Sequence, residues 1–555
     1  MTDLFGFRSR RLCSSVATLL VITFCGVIAE AAPHRARLSD DLAQRVASGA
    51  LGTSSVIVAG TADRIDALAA RYGARIKKGL RGGAVLDVTG EQLAALAADQ
   101  EVDHLSGDVA VHRMMAITTQ ATGAVQVWQG LDGLRSYTGR GIGVAVIDSG
   151  VGPHSALRNR VIAAFDFTSH RESALDRYGH GTHVAGIIAG QDGGYAGMAP
   201  GAHIVSLRVL EADGSGDTSD VINAIDWAVE HKAAYALRVI NLSLGHPVFE
   251  SYRDDPLCQA VQRAIDAGLV VVAAAGNMGK TEDGRPVVGA IISPANTPAA
   301  LTVGALNTRG TPQRSDDVMA TYSSRGPSRF DFVLKPDLAA PGNKIVAPAA
   351  PGSQLVQDLP ERVTGRGTNG YIELSGTSMA AGVVSGAVAL LLEANPSLTP
   401  SDTKLVLQLT SSRLAGAGLI EQGAGALNVV AAVKFANNRA LSRTLVAGEE
   451  QEPSGLFYVL RRDGEVTVGL INQPALPVLL SSLAPSEVLE GNTVALDSFA
   501  ESIVWTSSIV WTSSIVWTNS IVWTSSLVWT NSIVWTNSIV WTNSIVWTND
   551  ASSDD

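Results

Sequence analysis

The 555-residue sequence predicts an α/β protein: three layers with a mostly parallel sheet, preceded by a smaller α+β unit and followed by a β-prone repeat tail. Three observations predict it. Apolar runs at 142–147, 204–210, 239–243, 269–274 and 300–305 alternate with segments of helical length, and such alternation builds a parallel sheet covered on both faces. A second alternation within 33–115 reads βαββαβ. From 502 to 549 a single hexad repeats eight times.

Taken in order, the first element is a leader. Arg8, Arg10 and Arg11 precede an apolar run at 16–28, and Ala29-Glu30-Ala31 supplies an A-x-A site, so 1–31 reads as a secretory signal. A membrane anchor is the alternative, against which the run is short; a lipoprotein at Cys25 would need a small residue where Phe24 stands. Cys13 and Cys25 would leave with the leader, so the mature chain keeps Cys258 and no internal disulfide. Export to the outside, the periplasm or the cell surface follows.

The 33–115 unit has strands near 55–59, 74–79, 84–88 and 102–112 and helices near 62–72 and 91–99. In the main unit, 219–234 places Val221, Ile225, Ala228 and Val229 on one helical face, with Thr218 or Ser219 as N-cap. The run 380–392 reads as a buried helix packed close through Gly382, Ala387 and Ala389. Residues 436–501 alternate strand-like pieces (456–460, 466–470) with Gly, Pro and Glu turns, either a linker or a small β unit.

The tail hexad is Ser-Ile-Val-Trp-Thr-Ser/Asn, with Leu527 once in place of Ile, and puts Trp505, Trp511, Trp517, Trp523, Trp529, Trp535, Trp541 and Trp547 at period six. On a helix six residues advance about 600°, scattering the tryptophans over three stripes. On strands every hexad position keeps one face. The segment is too long for one strand, which leaves stacked short strands in a solenoid, pairing between chains and so self-association, or a plain spacer.

Net charge is −11 with pI near 5.4 and no basic patch, which argues against nucleic-acid binding. Chemistry is concentrated in three stretches, Val146-Ile147-Asp148-Ser149-Gly150, His180-Gly181-Thr182-His183 and Gly376-Thr377-Ser378-Met379-Ala380. A serine hydroxyl needs an imidazole to take its proton and a carboxylate to hold that imidazole in one tautomer. Asp148, His180 and Ser378 supply the three parts in the order acid, base, nucleophile. His183 is expected to pack or hydrogen-bond, and Asp176, Asp166 and His154 to be solvated loop residues.

These motifs resemble the subtilisin-like serine proteases, or subtilases. Gly197-Met198-Ala199-Pro200, Asn241-Leu242-Ser243-Leu244-Gly245, Ala273-Ala274-Ala275-Gly276-Asn277, Tyr322-Ser323-Ser324-Arg325-Gly326-Pro327 and Lys335-Pro336-Asp337-Leu338-Ala339-Ala340-Pro341-Gly342 extend the likeness over 120–435. The resemblance implies a subtilisin-like sandwich and a secreted serine endopeptidase that acts on protein or peptide substrates through an acyl-enzyme. It implies Asn277 as oxyanion donor, with Ser243, Leu244 and Gly245 binding substrate backbone and Ala274, Ala275 and Gly276 lining the specificity pocket. The 33–115 unit is similar to the family's inhibitory propeptide, a ferredoxin-like module, so the chain's own propeptide is an implied partner, removed by autocleavage between about 111 and 122. No cofactor is needed for the chemistry. The family's calcium sites do not carry over, because the loop 190–197 is short and offers no clear ligand set. Where the family usually has proline soon after the nucleophile this chain has Gly382, expected to loosen the first turn while leaving activity intact. The competing reading is a structural or adhesive repeat protein with a vestigial protease domain.

Overall fold

The structure is a computed structural model that describes residues 36–47, 52–80, 82–108, 114–130, 133, 135–168, 173–192, 194–438, 441–460, 466–470 and eight three-residue strands between 504 and 548. The expected leader, 1–31, with Cys13 and Cys25, lies outside the described residues, as does 471–503. The chain divides into two compact units, Met1–Val111 and His112–Asp555.

In the first unit β1 (Arg37–Leu38), α1 (Asp40–Ala47), β2 (Ser54–Ala59), α2 (Ala62–Tyr72), β3 (Arg75–Leu80), β4 (Gly83–Val88), α3 (Gly90–Ala97) and β5 (His104–Gly107) follow one another. The sheet order is β1-β5-β2-β4-β3, with β2 antiparallel to both β4 and β5, a split-βαβ arrangement. Alternation in β2 and β4 buries Val56, Val58, Leu86 and Val88 against Ile65 and Leu68 of α2 and Leu93 and Leu96 of α3. The Thr89–Gln92 capping box starts α3.

The second unit opens with α4 (Met114–Ala121) and α5 (Ala124–Gln129). Then come β6 (Gly143–Asp148), β7 (Val161–Asp166), α6 (His180–Ala189), β8 (His203–Arg208), α7 (Thr218–His231), β9 (Leu237–Leu242), α8 (Pro256–Asp266), β10 (Val270–Ala274) and β11 (Leu301–Asn307). β12 (Val318–Met319), β13 (Leu338–Pro341), β14 (Ile345–Pro348), α9 (Gln354–Asp358), β15 (Val363–Thr364) and β16 (Tyr371–Leu374) lead to the helices α10 (Thr377–Ala394), α11 (Pro400–Thr410), α12 (Leu419–Gln422) and α13 (Val429–Asn438).

The main sheet runs β7-β8-β6-β9-β10-β11, all parallel, with β13 parallel and β12 antiparallel on β11. Its two faces sort by residue parity. Val144 and Val146 of β6 join the core under α6 and α10, while Ala145 and Ile147 join the core under α7 and α8. This is the doubly wound, three-layer α/β arrangement expected from the alternation. The chain turns from one side of β6 to the other between β8 and β9, so the carboxyl end of β6 is a topological switch point, where such sheets bind ligands. Asp148 is the last residue of β6.

Two local expectations are corrected. The N-cap of α7 is Asp217, one residue ahead of Thr218, because the extended backbone that a cap needs (ψ 139°) occurs there; its buried face adds Ala224 to Val221, Ile225 and Ala228. Gly382 lies six residues into α10, past its first turn, and is fully buried. A Cβ there would sit 3.2 Å from Ile187 Cγ2, so the glycine sets the close approach of α10 to α6. Beyond α13, the β17 (Thr444–Val446) and β18 (Glu449–Gln451) hairpin returns Val446 to the main core, and Phe457 of β19 (Leu456–Leu460), paired with β20 (Val466–Leu470), joins it.

In the tail, the three-residue strands β21 (Val504–Thr506), β22 (Val510–Thr512), β23 (Val516–Thr518), β24 (Val522–Thr524), β25 (Val528–Thr530), β26 (Val534–Thr536), β27 (Val540–Thr542) and β28 (Val546–Thr548) form three parallel sheets, ordered β21-β24-β27, β22-β25-β28 and β23-β26.

Candidate active site

The predicted residues stand at three element ends, the carboxyl end of β6 and the amino ends of α6 and α10; among the described residues no hydrogen bond joins Ser378 to His180. Asp148 is fully buried. Its carboxylate faces His180 Nδ1 with both oxygens, at 2.8 and 2.9 Å, and Oδ1 also accepts from Ser149 N at 2.8 Å. A proton on Nδ1 is therefore fixed, which leaves Nε2 as the basic nitrogen. His180 is the first residue of α6 and follows Gly179 at φ 107°, where a Cβ would lie 2.5 Å from Ser353 Oγ. Only glycine admits that turn. Burial works to lower the His180 pKa, but the Asp148 charge and hydrogen bond outweigh it and hold the pKa above the ordinary histidine value.

Ser378 is the second residue of α10, half-buried, and its hydroxyl donates to the Ser243 carbonyl at 3.0 Å. Ser243 in turn donates from Oγ to the Ser378 carbonyl (2.9 Å) and accepts from Asn241 Nδ2 (2.9 Å), whose Oδ1 accepts from Ser385 Oγ of α10 (2.9 Å). This chain of bonds fixes α10 to the end of β9. Asn277 is exposed, and its Oδ1 accepts from Thr377 N (2.9 Å) and Thr377 Oγ1 (3.1 Å). With the oxygen so engaged, Nδ2 donates to nothing among the described residues. It stands at the N-terminus of α10, where open backbone donors favour negative charge.

The segment after β9, Ser243, Leu244 and Gly245, carries no backbone–backbone hydrogen bonds at Leu244 or Gly245 among the described residues, so its main-chain groups are open to an added strand. Gly245 is required by space: a Cβ would lie 2.2 Å from Ser293 O. Ala274, Ala275 and Gly276 are buried beside it at the end of β10, with Gly276 at φ 106°.

Asp176, His154 and Asp166 are not solvated loop residues. Asp176 is 6% exposed and accepts from Ser149 Oγ (2.8 Å), Gly179 N (2.6 Å), Thr182 N (2.8 Å) and Thr182 Oγ1 (2.6 Å). The reason is local: the open first turn of α6 needs an acceptor, and a carboxylate three residues before Gly179 supplies it. Burial raises the Asp176 pKa, against these bonds. Four donors and no acceptor leave no place for a proton, so the carboxylate is ionised. His154 accepts from Ala156 N and bonds Gly370 O through Nε2 (2.7 Å), and burial lowers its pKa. Asp166 binds Thr168 and Arg208. His183 is fully buried and donates from Nε2 to the carbonyls of Ile345 and Ile372, 3.1 Å each.

Sequence reading therefore missed Asp176, Ser149, Asn241 and Ser385. The one available signal was Asp176 lying four residues before His180, at a helix start. We expect Asp176→Asn, whose amide must confront a backbone N–H, to lower kcat about tenfold, given the roughly 1–3 kcal/mol cost of an unpaired buried donor. KM should stay, since Asp176 lies in the hydrogen-bonded shell behind His180. The acid limb of kcat/KM should move to lower pH, because the Asp176 charge is one of those raising the His180 pKa. An unmoved limb would remove Asp176 from this role.

Among the described residues no group of three or more His, Cys, Asp and Glu could hold a metal ion. In the loop 190–197, Asp192 is occupied by Gly194 N and Tyr371 OH. Cys258, its thiol pushed up to about 12 by burial, is inert.

The sequence profile of the subtilase family matches residues 139–428, a span that holds Asp148, His180, Asn277 and Ser378. The chain belongs to the subtilase family of serine proteases. It is 35% identical over 303 residues to serine protease AprX of Bacillus subtilis, covering 53% of this chain and 66% of AprX. It is 36% identical over 346 residues to an extracellular serine proteinase of Thermus sp., covering 60% and 73%. Subtilisin DY of Bacillus licheniformis is 33% identical and 93% covered. Among solved structures, a cold adapted subtilisin-like serine proteinase is 32% identical, with TM-score 0.41, over 53% of this chain and 90% of that one.

Proposed function

We propose that this subtilase is a secreted endopeptidase, made as a self-processed zymogen, that cleaves protein or peptide substrates through an acyl-enzyme on Ser378. The observation that carries the reading is the Asp148–His180 pair at a switch point, with the unspent Asn277 amide beside Ser378 at the N-terminus of α10. An extended substrate adds to the open main chain of Ser243, Leu244 and Gly245, its side chain entering beside Ala274, Ala275 and Gly276.

Ser378 Oγ turns from the Ser243 carbonyl toward the scissile carbon. As the Oγ–C bond forms, its proton passes to His180 Nε2, and Asp148 balances the imidazolium. The carbonyl oxygen becomes an oxyanion that accepts from Asn277 Nδ2 and Ser378 N–H. Collapse breaks the C–N bond, and His180 gives its proton to the departing amine. Water repeats the sequence and frees Ser378.

Asn277→Ala should lower kcat by 10²–10³ with KM little changed, the order found for such a donor in subtilisin, a relative of this chain. A rise in KM alone, with kcat unchanged, would assign Asn277 to ground-state binding.

Secretion is supported by the leader-like sequence of 1–31, and zymogen processing by the first unit being a compact unit of its own. Cleavage deep in α4 is disfavoured because Met115, Ile117, Thr118, Thr119 and Ala121 are buried, which narrows the junction to 111–114. The test is to label the secreted protein with a fluorophosphonate and sequence its mature N-terminus. Label on Ser378 and an end within 111–114 support the reading; an unlabelled protein would favour a structural role.

A further inference from the structure

The tail strands pair at a spacing of three. Trp505 registers with Trp523 and Trp523 with Trp541; Trp511 with Trp529 and Trp529 with Trp547; Trp517 with Trp535. Each strand thus lies in parallel register on an identical Val-Trp-Thr strand eighteen residues away, and three hexads complete one turn. Eight hexads do not complete three turns. Two sheets have three strands and the third has two.

At one end β21, β22 and β23, and at the other β26, β27 and β28, have a single strand partner each among the described residues. An outer row of N–H and C=O groups is thereby open at both ends. Edges of this kind are ordinarily blunted by proline, by charge or by irregularity. None of these interrupts the hexads. What would continue the stack past β28 is one more Val-Trp-Thr strand in the same register, and a second copy of this chain carries that strand as its β21.

We propose that the tail is an end-to-end assembly module. β21, β22 and β23 of one copy stack on β26, β27 and β28 of another, repeating between chains the pairing already made within the chain. The phase follows from the count: the incoming β21 meets β26, on the two-stranded sheet, so each copy is turned by a third of a turn relative to the last. Identical hexads on the three sheets make that offset chemically neutral. The two ends differ, so the contact is heterologous and open and yields linear fibres, not closed dimers.

Charge sets the strength of the contact. Glu501 precedes the first hexad and Asp550 follows the last, so acidic residues from both chains are brought to each junction by continuity of the stack. Raising salt should therefore promote assembly by screening.

The test uses full-length Ser378→Ala protein, which cannot digest itself, and stands apart from the protease reading. Sedimentation velocity over about 1–50 μM should show species that lengthen with concentration and with salt, since screened repulsion favours contact. Val540→Pro with Val546→Pro, which disturbs the last rung while leaving the first intact, should sediment as a monomer. Mixed in at one part in ten, that variant should shorten the fibres, because it adds by its first rung and then stops growth. Monomers under all conditions, a closed dimer, or fibres indifferent to the blocked copy would each overturn the proposal.

Discussion

Ser378→Ala is expected to abolish peptide hydrolysis, with kcat falling by about 10⁶, the order seen when a relative loses its nucleophile. The fold should be unchanged. Ser378 Oγ makes one hydrogen bond, to the Ser243 carbonyl, and alanine suits the first turn of a helix. The lost bond costs about 1 kcal/mol, small against a core in which α10 is buried from Met379 to Leu392. Substrate affinity should survive as well, because the proposed binding groups, the open main chain of Leu244 and Gly245 and the small residues Ala274, Ala275 and Gly276, are untouched. Calorimetry with a peptide substrate and the variant should thus show binding without turnover. The variant should also accumulate as the unprocessed chain; normal maturation in a purified preparation would mean that another protease does the cutting.

The sequence made the candidate reacting groups legible because each is tied to local chemistry. Asp148 ends an all-apolar strand, His180 sits between glycines at a helix start, and Ser378 opens a small-residue helix. Strand–helix alternation likewise exposed the sheet, since period two and period 3.6 leave different marks. What stayed hidden was long-range pairing. Nothing near Asn241 announces that it will bridge Ser243 to Ser385, 144 positions away from Asn241. Asp176 looked like an ordinary loop acid because its burial depends on β6 and α6 closing over it. Gly382 was half legible: the small-residue run gave its close packing, but the loosened first turn did not follow, because α10 begins at Thr377 and the residue it approaches, Ile187, lies on another helix.

Acid should destabilise the folded protein through His183. Burial, aided by the neighbouring His180, lowers the His183 pKa to about 3, while the unfolded value is near 6.5. Between those values the unfolded chain holds the extra proton, so stability is complete above 6.5 and is lost as pH falls toward 3. A gap of this size amounts to about 5 kcal/mol at full protonation and about 3 at pH 4.5. The structural cause is that Nε2 spends its proton on the carbonyls of Ile345 and Ile372, while Nδ1 is buried with no partner among the described residues to receive a second one. His154, also lowered by burial, acts in the same direction. His180 opposes it: its raised pKa gives stability at low pH that is lost as pH rises through the folded value. His183→Gln separates these contributions, since the amide can still donate to one carbonyl but does not titrate. Urea midpoints of the Ser378→Ala protein between pH 4 and 7.5 should fall steeply on acidification with His183 and distinctly less with glutamine. Parallel slopes would place the acid sensitivity elsewhere, whatever the variant's stability at neutral pH.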